Sequence, residues 1–153
     1  MAVRTDNSIL INAPLEMVWD ITNDVESWPD LFTEYAKAEV LERKENTVVF
    51  RLSMHPDGDG KIWSWVSERT MDSAAHAVKA RRIETGPFEF MNIEWYYEPV
   101  GRSTRMRWVQ EFAMKPNAPA NDAQMEVHIN TNSQKQMAII KEQIEKRARG
   151  TAA

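Results

Sequence analysis

Alternating apolar and polar positions fill the middle of this chain and predict a run of β-strands. Bulky or β-branched residues recur there at every second position, as they do in strands with two unlike faces. The predicted strands span residues 8–12, 36–43, 47–54, 62–72, 77–84, 91–100 and 103–114. Pro56-Asp57-Gly58-Asp59-Gly60 is a turn between two of them, and Gly86-Pro87 and Gly101 separate others. The pattern therefore indicates an antiparallel sheet.

Helical spacing flanks these strands on both sides. Residues 15–22 follow Pro14 and have one apolar side, which predicts a helix that starts there, and a second short helix is predicted at about 25–31. Near the end of the chain, Met137, Ile140 and Ile144 repeat at i, i+3 and i+7. They predict a long amphipathic helix over about 123–149 that ends at Gly150. Strands with helices before and after them indicate an α+β fold, in which a bent sheet around a long helix leaves an interior cavity.

The strongest local signal lies between residues 63 and 69. Trp63, Trp65, Ser67 and Arg69 share one face of a strand, because side chains alternate along it. Facing water, this row would expose two tryptophans; facing a solid core, it would bury a charge that must be paired. A hydrated, mostly apolar cavity satisfies both conditions. The alternative is that Arg69 simply pairs with a carboxylate such as Glu111 at a sheet end.

Two further strands carry rows of large side chains. The rows consist of Met91, Ile93, Trp95 and Tyr97 on one strand and of Met106, Trp108, Gln110 and Phe112 on the next. Alternating aromatics of this kind also fit plain core packing. Three neighbouring rows of bulky residues nevertheless favour a cavity wall, because together they need a large partner to pack against.

The beginning of the long helix has a more polar face than its end. Met125, His128, Ile129 and Asn132 fall on one side at helical spacing. Two readings remain open: this end of the helix projects into solvent, or His128 and Asn132 look into the open end of a pocket. In the second case His128 could exchange protons near neutral pH.

Composition narrows the function classes. The chain has 153 residues, a size typical of one domain, with a net charge of −4 and a sequence pI of about 5.4. No basic patch accompanies the aromatics, so we expect no nucleic-acid partner. The absence of cysteine excludes disulfides and thiolate sites. No apolar stretch approaches the length of a signal peptide core or a membrane span, so we expect a cytoplasmic protein without a membrane partner.

Cofactor chemistry is also not indicated. The sequence contains no phosphate-binding loop, no nucleophile elbow and no metal-ligand pair at helical spacing. We therefore expect no metal and no cofactor. Any catalysis would have to use arginine, tyrosine, histidine, amide side chains and water.

Several segments together carry a family resemblance. They are Arg4-Thr5-Asp6-Asn7-Ser8, Asn12-Ala13-Pro14, Val18-Trp19-Asp20, Trp28-Pro29-Asp30-Leu31-Phe32, Trp63-x-Trp65-Val66-Ser67-x-Arg69, Glu84-Thr85-Gly86-Pro87-Phe88 and Met106-Arg107-Trp108-Val109-Gln110-Glu111-Phe112. The chain resembles the single-domain aromatase/cyclases of bacterial type II polyketide synthases, close to the tetracenomycin enzyme and its spore-pigment relatives. The likeness covers nearly the whole chain.

The resemblance implies a fold and an activity. The fold is the helix grip of START and Bet v 1 proteins, here as a single domain over residues 1–153 without the methyltransferase-like domain that follows in some relatives. Members take a poly-β-ketone from an acyl carrier protein, within a synthase that also contains a ketosynthase. They direct its first aldol ring closure, of the C9–C14 type in this branch, with dehydration and aromatisation.

Combining the resemblance with the face pattern gives a set of candidate site residues. Arg69 would stabilise an oxyanion and Tyr35 would donate a proton. The expected walls are Trp28, Phe32, Trp63, Trp65, Phe88, Met91, Trp95 and Trp108. Ser67 and Gln110 would orient carbonyls or a water, His128 or Asn132 would assist proton transfer at the mouth, and Arg82 would be a second cation unless it forms a surface ion pair.

A different class of function also fits the sequence. Many helix-grip proteins carry a hydrophobic ligand without changing it, and a subunit that only protects the polyketide chain is a related alternative. Both alternatives predict an unchanged product spectrum, whereas an enzyme predicts a changed one.

Overall fold

The computed structural model describes residues 2–33 and 35–151, with the side chains of residues 150 and 151 left aside. Its elements follow the predicted order. They are β1 (Val3–Ile11), α1 (Leu15–Asn23), a 3₁₀ turn (Val25–Ser27), α2 (Trp28–Leu31), β2 (Tyr35–Lys44), β3 (Thr47–Met54), β4 (Ser64–Asp72), β5 (Ala77–Arg82), β6 (Phe88–Val100), β7 (Ser103–Met114) and α3 (Asp122–Thr151).

The seven strands form one antiparallel sheet in the order β1-β7-β6-β5-β4-β3-β2. β1 lies at one edge beside β7, with Val3 opposite Phe112 and Ile11 opposite Thr104. The chain then passes through the short helices to the other edge and returns strand by strand. Register shifts in β2 and at the start of β6 are bulges, which bend a strand and help to curve the sheet. The predicted α+β helix-grip class is confirmed.

α3 packs against β1, β7 and α2 and so closes one side of the curved sheet. Its residues Met137, Ile140 and Ile144 are fully buried, as their spacing predicts. They join a core that also contains Ile11, Val18 and residues of β3, β6 and β7. A hydrogen bond from the Asn12 amide to Glu145 (2.8 Å) ties the end of β1 to the helix.

Several predicted boundaries were wrong. β1 begins at Val3 and β6 at Phe88, both earlier than predicted, because pairing with β7 extends them, with Val3 opposite Phe112 and Phe88 opposite Met114. The second short helix is a 3₁₀ turn followed by one α-helical turn. α3 does not end at Gly150 but continues to Thr151. A helix interior tolerates glycine at a cost of about 1 kcal/mol, so glycine alone does not end a helix.

Candidate active site

A cavity of about 490 Å³ lies between the concave face of the sheet, α2 and the first half of α3. This volume is within the usual range of small-molecule sites. Aromatic rings supply a large part of the wall. Several pack on one another, for example Trp95 on Trp108 with ring centroids 4.5 Å apart, and Trp28 on Trp95 at 5.9 Å. The cavity is therefore suited to flat or folded, mostly apolar ligands with a few polar atoms.

Every candidate residue named from the sequence lies in the lining of this one cavity. The set is Trp28, Phe32, Tyr35, Trp63, Trp65, Ser67, Arg69, Arg82, Phe88, Met91, Trp95, Trp108, Gln110, His128 and Asn132. Tyr97, Met106 and Phe112, from the same strand rows, belong instead to the packed core. Co-location does not assign roles, and the roles given to these residues stay predictions.

The row on β4 has the arrangement that strand alternation predicts. Trp63 immediately precedes β4, while Trp65, Ser67 and Arg69 follow on the cavity side. β4 is flanked by β3 and β5, with Ser67 opposite Phe50 on one side and opposite Arg82 on the other. The row therefore lies away from both edges of the sheet, where its direction is held by two neighbours.

Arg69 is the most unusual residue of the site. It is only 1% exposed, yet no carboxylate of the described residues lies within ion-pair distance of it. Its Nε and Nη2 donate to Asn23 Oδ1, at 3.1 and 2.7 Å. The alternative of a pair with Glu111 does not hold, since Glu111 is exposed. A buried cation held by a neutral amide is costly, and such groups concentrate at functional sites.

The aromatic wall partly compensates the charge of Arg69. The guanidinium carbon lies 4.2 Å from the ring centroid of Trp95 and 5.2 Å from that of Trp28. Burial lowers the pKa of Arg69 from 12.5 to about 10, and the nearby hydroxyls of Tyr97 and Tyr35 oppose this decrease. The side chain is therefore still positively charged at neutral pH.

Sequence reasoning missed a buried polar cluster behind Arg69. The Tyr97 and Thr22 hydroxyls are 2.6 Å apart, and Thr22 also donates to the Val18 carbonyl at 2.7 Å. Burial raises the pKa of Tyr97, so its hydroxyl stays protonated. A polar residue such as Thr22 on the apolar side of a predicted helix was the available signal. Its partner could not be identified, because the two residues are 75 positions apart.

Tyr35 begins β2 and enters the cavity beside the wall. Its ring lies near those of Trp28, Phe32 and Trp65, with centroids 6.0, 5.0 and 6.2 Å away. It is close enough to Arg69 to affect the pKa of that residue. The proton donor and the cation predicted from the sequence thus face the same space.

The cavity contains a second cation. The guanidinium carbon of Arg82 lies 4.0 Å from the ring centroid of Trp65 and 4.6 Å from that of Phe88. Glu84, two residues after Arg82, lies beyond the end of β5 and pairs with Arg51 through two hydrogen bonds of 3.0 and 2.9 Å. Arg82 is thus held against the wall by aromatic faces.

Exposed residues of the cavity lining lie at the start of α3, in the loop before it, and in the loops between β3 and β4 and between β5 and β6. His128 is exposed and Asn132 half-buried, so this end of α3 both contacts solvent and lines the cavity. In the loop between β3 and β4, Asp57 accepts from the amides of Asp59 and Lys61 and from the indole of Trp63 (2.9–3.0 Å). This hydrogen bonding fixes the position of the Trp63 ring at the rim.

The described residues contain no cluster of three or more histidine or carboxylate side chains that could hold a metal ion. Nor does any helix among them have the length and apolar character needed to cross a membrane.

Comparison with known proteins identifies the family. Residues 11–140 match the model of a family described as polyketide cyclase / dehydrase and lipid transport. The chain belongs to this family. A Streptomyces cyaneus protein named "Putative polyketide cyclase" is 61% identical over 95% of both chains. The actinorhodin polyketide synthase bifunctional cyclase/dehydratase of Streptomyces coelicolor is 26% identical over 90% of this chain, which spans 42% of that protein.

Solved structures share the fold of this chain. The Zhui aromatase/cyclase of Streptomyces sp. R1128 superposes with a TM-score of 0.86 over 96% of each chain, at 22% identity. A START superfamily protein of Mycobacterium smegmatis superposes with a TM-score of 0.71, at 14% identity over 97% of this chain. The predicted family and the predicted enzyme class, a polyketide cyclase, are confirmed.

Proposed function

We propose that this polyketide cyclase folds a poly-β-ketone in its cavity and directs the first aldol ring closure, followed by dehydration and aromatisation. By resemblance, the ring is of the C9–C14 type. The polyketide chain would be delivered by an acyl carrier protein of a type II synthase that also contains a ketosynthase. The product would be an aromatic polyketide such as a spore pigment. The observation that carries the proposal is Arg69, a buried and charged guanidinium inside an aromatic cavity.

The cavity supports selection of one folded conformer. A poly-β-ketone has many pairs of carbons that can react, and confining it removes most of them at once. The rings of Trp28, Trp95 and Trp108 form a stacked wall on which a planar β-diketone segment can lie. Regiospecificity would therefore depend mainly on shape.

The charge supports the carbon–carbon bond-forming step. A methylene between two carbonyls is acidic, so it can lose a proton to a water held by Ser67 and Gln110 without a strong base. Its carbon then attacks a ketone, and the π electrons of that carbonyl move to its oxygen. Arg69 would stabilise both the enolate and the resulting alkoxide, because its charge is already in place in a site of low dielectric.

Proton transfers complete the reaction without a cofactor. Tyr35 would protonate the alkoxide and recover its proton from the water that accepted the first one. Loss of the neighbouring α-proton and of hydroxide, which together leave as water, gives an alkene, and enolisation of the ring ketone gives the aromatic ring. Each step is balanced in protons and involves no oxidation.

The test is reconstitution with a minimal ketosynthase and carrier protein. We expect Arg69→Ala to reduce the directed product strongly and Trp65→Leu to redistribute it among ring-closure isomers. Unchanged products from folded Arg69→Ala protein would contradict the catalytic role. A larger redistribution by Trp65→Leu than by Arg69→Ala would mean that shape outweighs charge.

Ligand carriage is the second candidate, because the family description includes lipid transport. It predicts tight binding of apolar ligands without any change of the product spectrum. The same reconstitution distinguishes it, as it does a subunit that only protects the chain.

A further inference from the structure

Asn23, the last residue of α1, has a defined amide orientation. Its Nδ2 donates to the Trp19 carbonyl at 2.9 Å, one turn earlier in the helix, and its Oδ1 accepts from Nε and Nη2 of Arg69. The reverse orientation would place an amine against a guanidinium and a carbonyl against a carbonyl. Hydrogen-bond chemistry alone therefore determines that the oxygen faces Arg69.

This partner is unusual for an arginine in the same chain. Arg51 and Arg107 each form a two-point contact with a carboxylate, Glu84 and Asp6 respectively, on the exposed side of the sheet. Such a fork-to-carboxylate pair is the preferred geometry of a guanidinium. For the buried Arg69, the acceptor in the equivalent role is the amide of Asn23, which has nearly the size of a carboxylate but no charge.

The consequence is a cation that is held in place without being neutralised by a carboxylate. A guanidinium has five N–H donors, of which Asn23 occupies two. Tyr97 is a further partner, and the ring of Trp95 supports the guanidinium face. Donors remain for an oxygen of the substrate, and no protein carboxylate of the described residues competes for the charge.

We propose that Asn23 is a positioning residue that fixes the direction of the Arg69 guanidinium while leaving its positive charge available to the enolate and alkoxide of the substrate. This inference rests on the proposed function, since it assigns Asn23 a part in the same reaction. Asn23 acts through Arg69 and does not line the cavity.

The discriminating variant is Asn23→Asp, which keeps an acceptor of the same size but neutralises Arg69. Asn46→Asp is the matched control. Asn46 lies in the turn between β2 and β3, is exposed, and donates Nδ2 to the Met71 carbonyl at 2.9 Å. The control therefore adds the same charge and loses the same kind of hydrogen bond, but at an exposed turn position that forms no hydrogen bond with the Arg69 guanidinium.

Two readouts separate positioning from a general structural effect. The directed product is measured with the minimal synthase, and binding of 9,10-anthraquinone, an uncharged aromatic diketone, is measured by quenching of tryptophan fluorescence. We expect Asn23→Asp to reduce the directed product at least tenfold and to change anthraquinone affinity less than twofold. Asn46→Asp should match the wild type in both.

Other outcomes would overturn the inference. A directed product from Asn23→Asp within twofold of the wild type would show that a neutral partner is not required. A parallel loss of product and of anthraquinone binding would show a structural role only. If Asn23→Asp does not fold, Asn23→Ala replaces it; that variant keeps the charge but frees the guanidinium, and wild-type product levels from it would contradict positioning. A wild-type protein that does not change the products at all would instead overturn the proposed function.

Discussion

Replacement of Arg69 by methionine should nearly abolish activity while changing stability little. Methionine keeps an unbranched side chain of adaptable shape in the cavity wall but removes the guanidinium. Loss of a large buried side chain usually lowers the free energy of unfolding by 2–5 kcal/mol. Arg69 should be an exception, because the energetic cost of burying its charge is removed together with its contacts.

The expected change in the free energy of unfolding follows from the surroundings of the Arg69 guanidinium. A pKa that falls from 12.5 to about 10 corresponds to about 3 kcal/mol by which the charged form is disfavoured in the folded protein. Two losses oppose this gain in stability. The cation–π contact with Trp95 is worth about 2 kcal/mol when desolvated, and leaving Asn23 Oδ1 unpaired costs about 1–3 kcal/mol. The net change should be less than about 2 kcal/mol in either direction.

Activity should respond differently. Removing one preplaced oxyanion donor typically lowers kcat by about 10²–10³, and we expect the directed product of Arg69→Met to fall by that factor. Urea unfolding followed by far-ultraviolet circular dichroism gives the stability, and reconstituted synthase gives the product. The control is Arg81→Met, which removes an exposed arginine paired with Glu68 on the outer face. It should change neither the stability nor the directed product strongly.

Two results would refute this reasoning. A loss of more than about 4 kcal/mol in Arg69→Met, with little loss in the control, would show that the guanidinium mainly stabilises the fold. Retention of the directed product in stably folded Arg69→Met would show that its charge is not used in the reaction.

Three further predictions concern the surroundings of the site. Thr22→Val should cost about 0.5–1.5 kcal/mol in urea unfolding, because it removes one hydrogen-bond partner of the buried Tyr97 hydroxyl, and combining it with Tyr97→Phe should cost less than the sum of both. The hydrogen bond from Arg107 lowers the pKa of Asp6 in the folded protein. The contribution of this contact to stability is therefore present above about pH 4 and is lost as the pH falls through the folded pKa. In that pH range, the urea midpoint of Asp6→Asn should depend less on pH than that of the wild type. Gln136→Leu should broaden the product distribution, because Gln136 forms two hydrogen bonds with Thr33 in the loop that leads to the proton donor Tyr35. The effect on the free energy of unfolding should be smaller than the effect on the products.

Much of the cavity could be predicted from local patterns. The alternation from Trp63 to Arg69 placed these side chains on one face, because strand periodicity determines which side chains point the same way. Helical spacing did the same for His128 and Asn132 but left open whether their face meets solvent or the cavity. The curved sheet then brings these faces together. Their convergence on one cavity required the whole fold, which the family resemblance supplied.

The partners of Arg69 could not be predicted. Asn23 reads locally as the end of a short helix, and only the packing of α1 against the sheet brings it to Arg69, which is 46 positions away. The alternative to a cavity was a pair with a carboxylate such as Glu111, because a buried charge usually has a counter-charge. Sequence patterns indicate that a charge needs compensation, but whether an amide or a carboxylate provides it depends on long-range geometry.

The most direct test of this account is the product spectrum of a minimal type II synthase with and without the wild-type protein. The account predicts that the mixture of spontaneously cyclised products is replaced by one in which the first ring is closed between C9 and C14. A spectrum that is the same in the presence of folded protein would contradict it, even if the cavity binds the polyketide chain tightly.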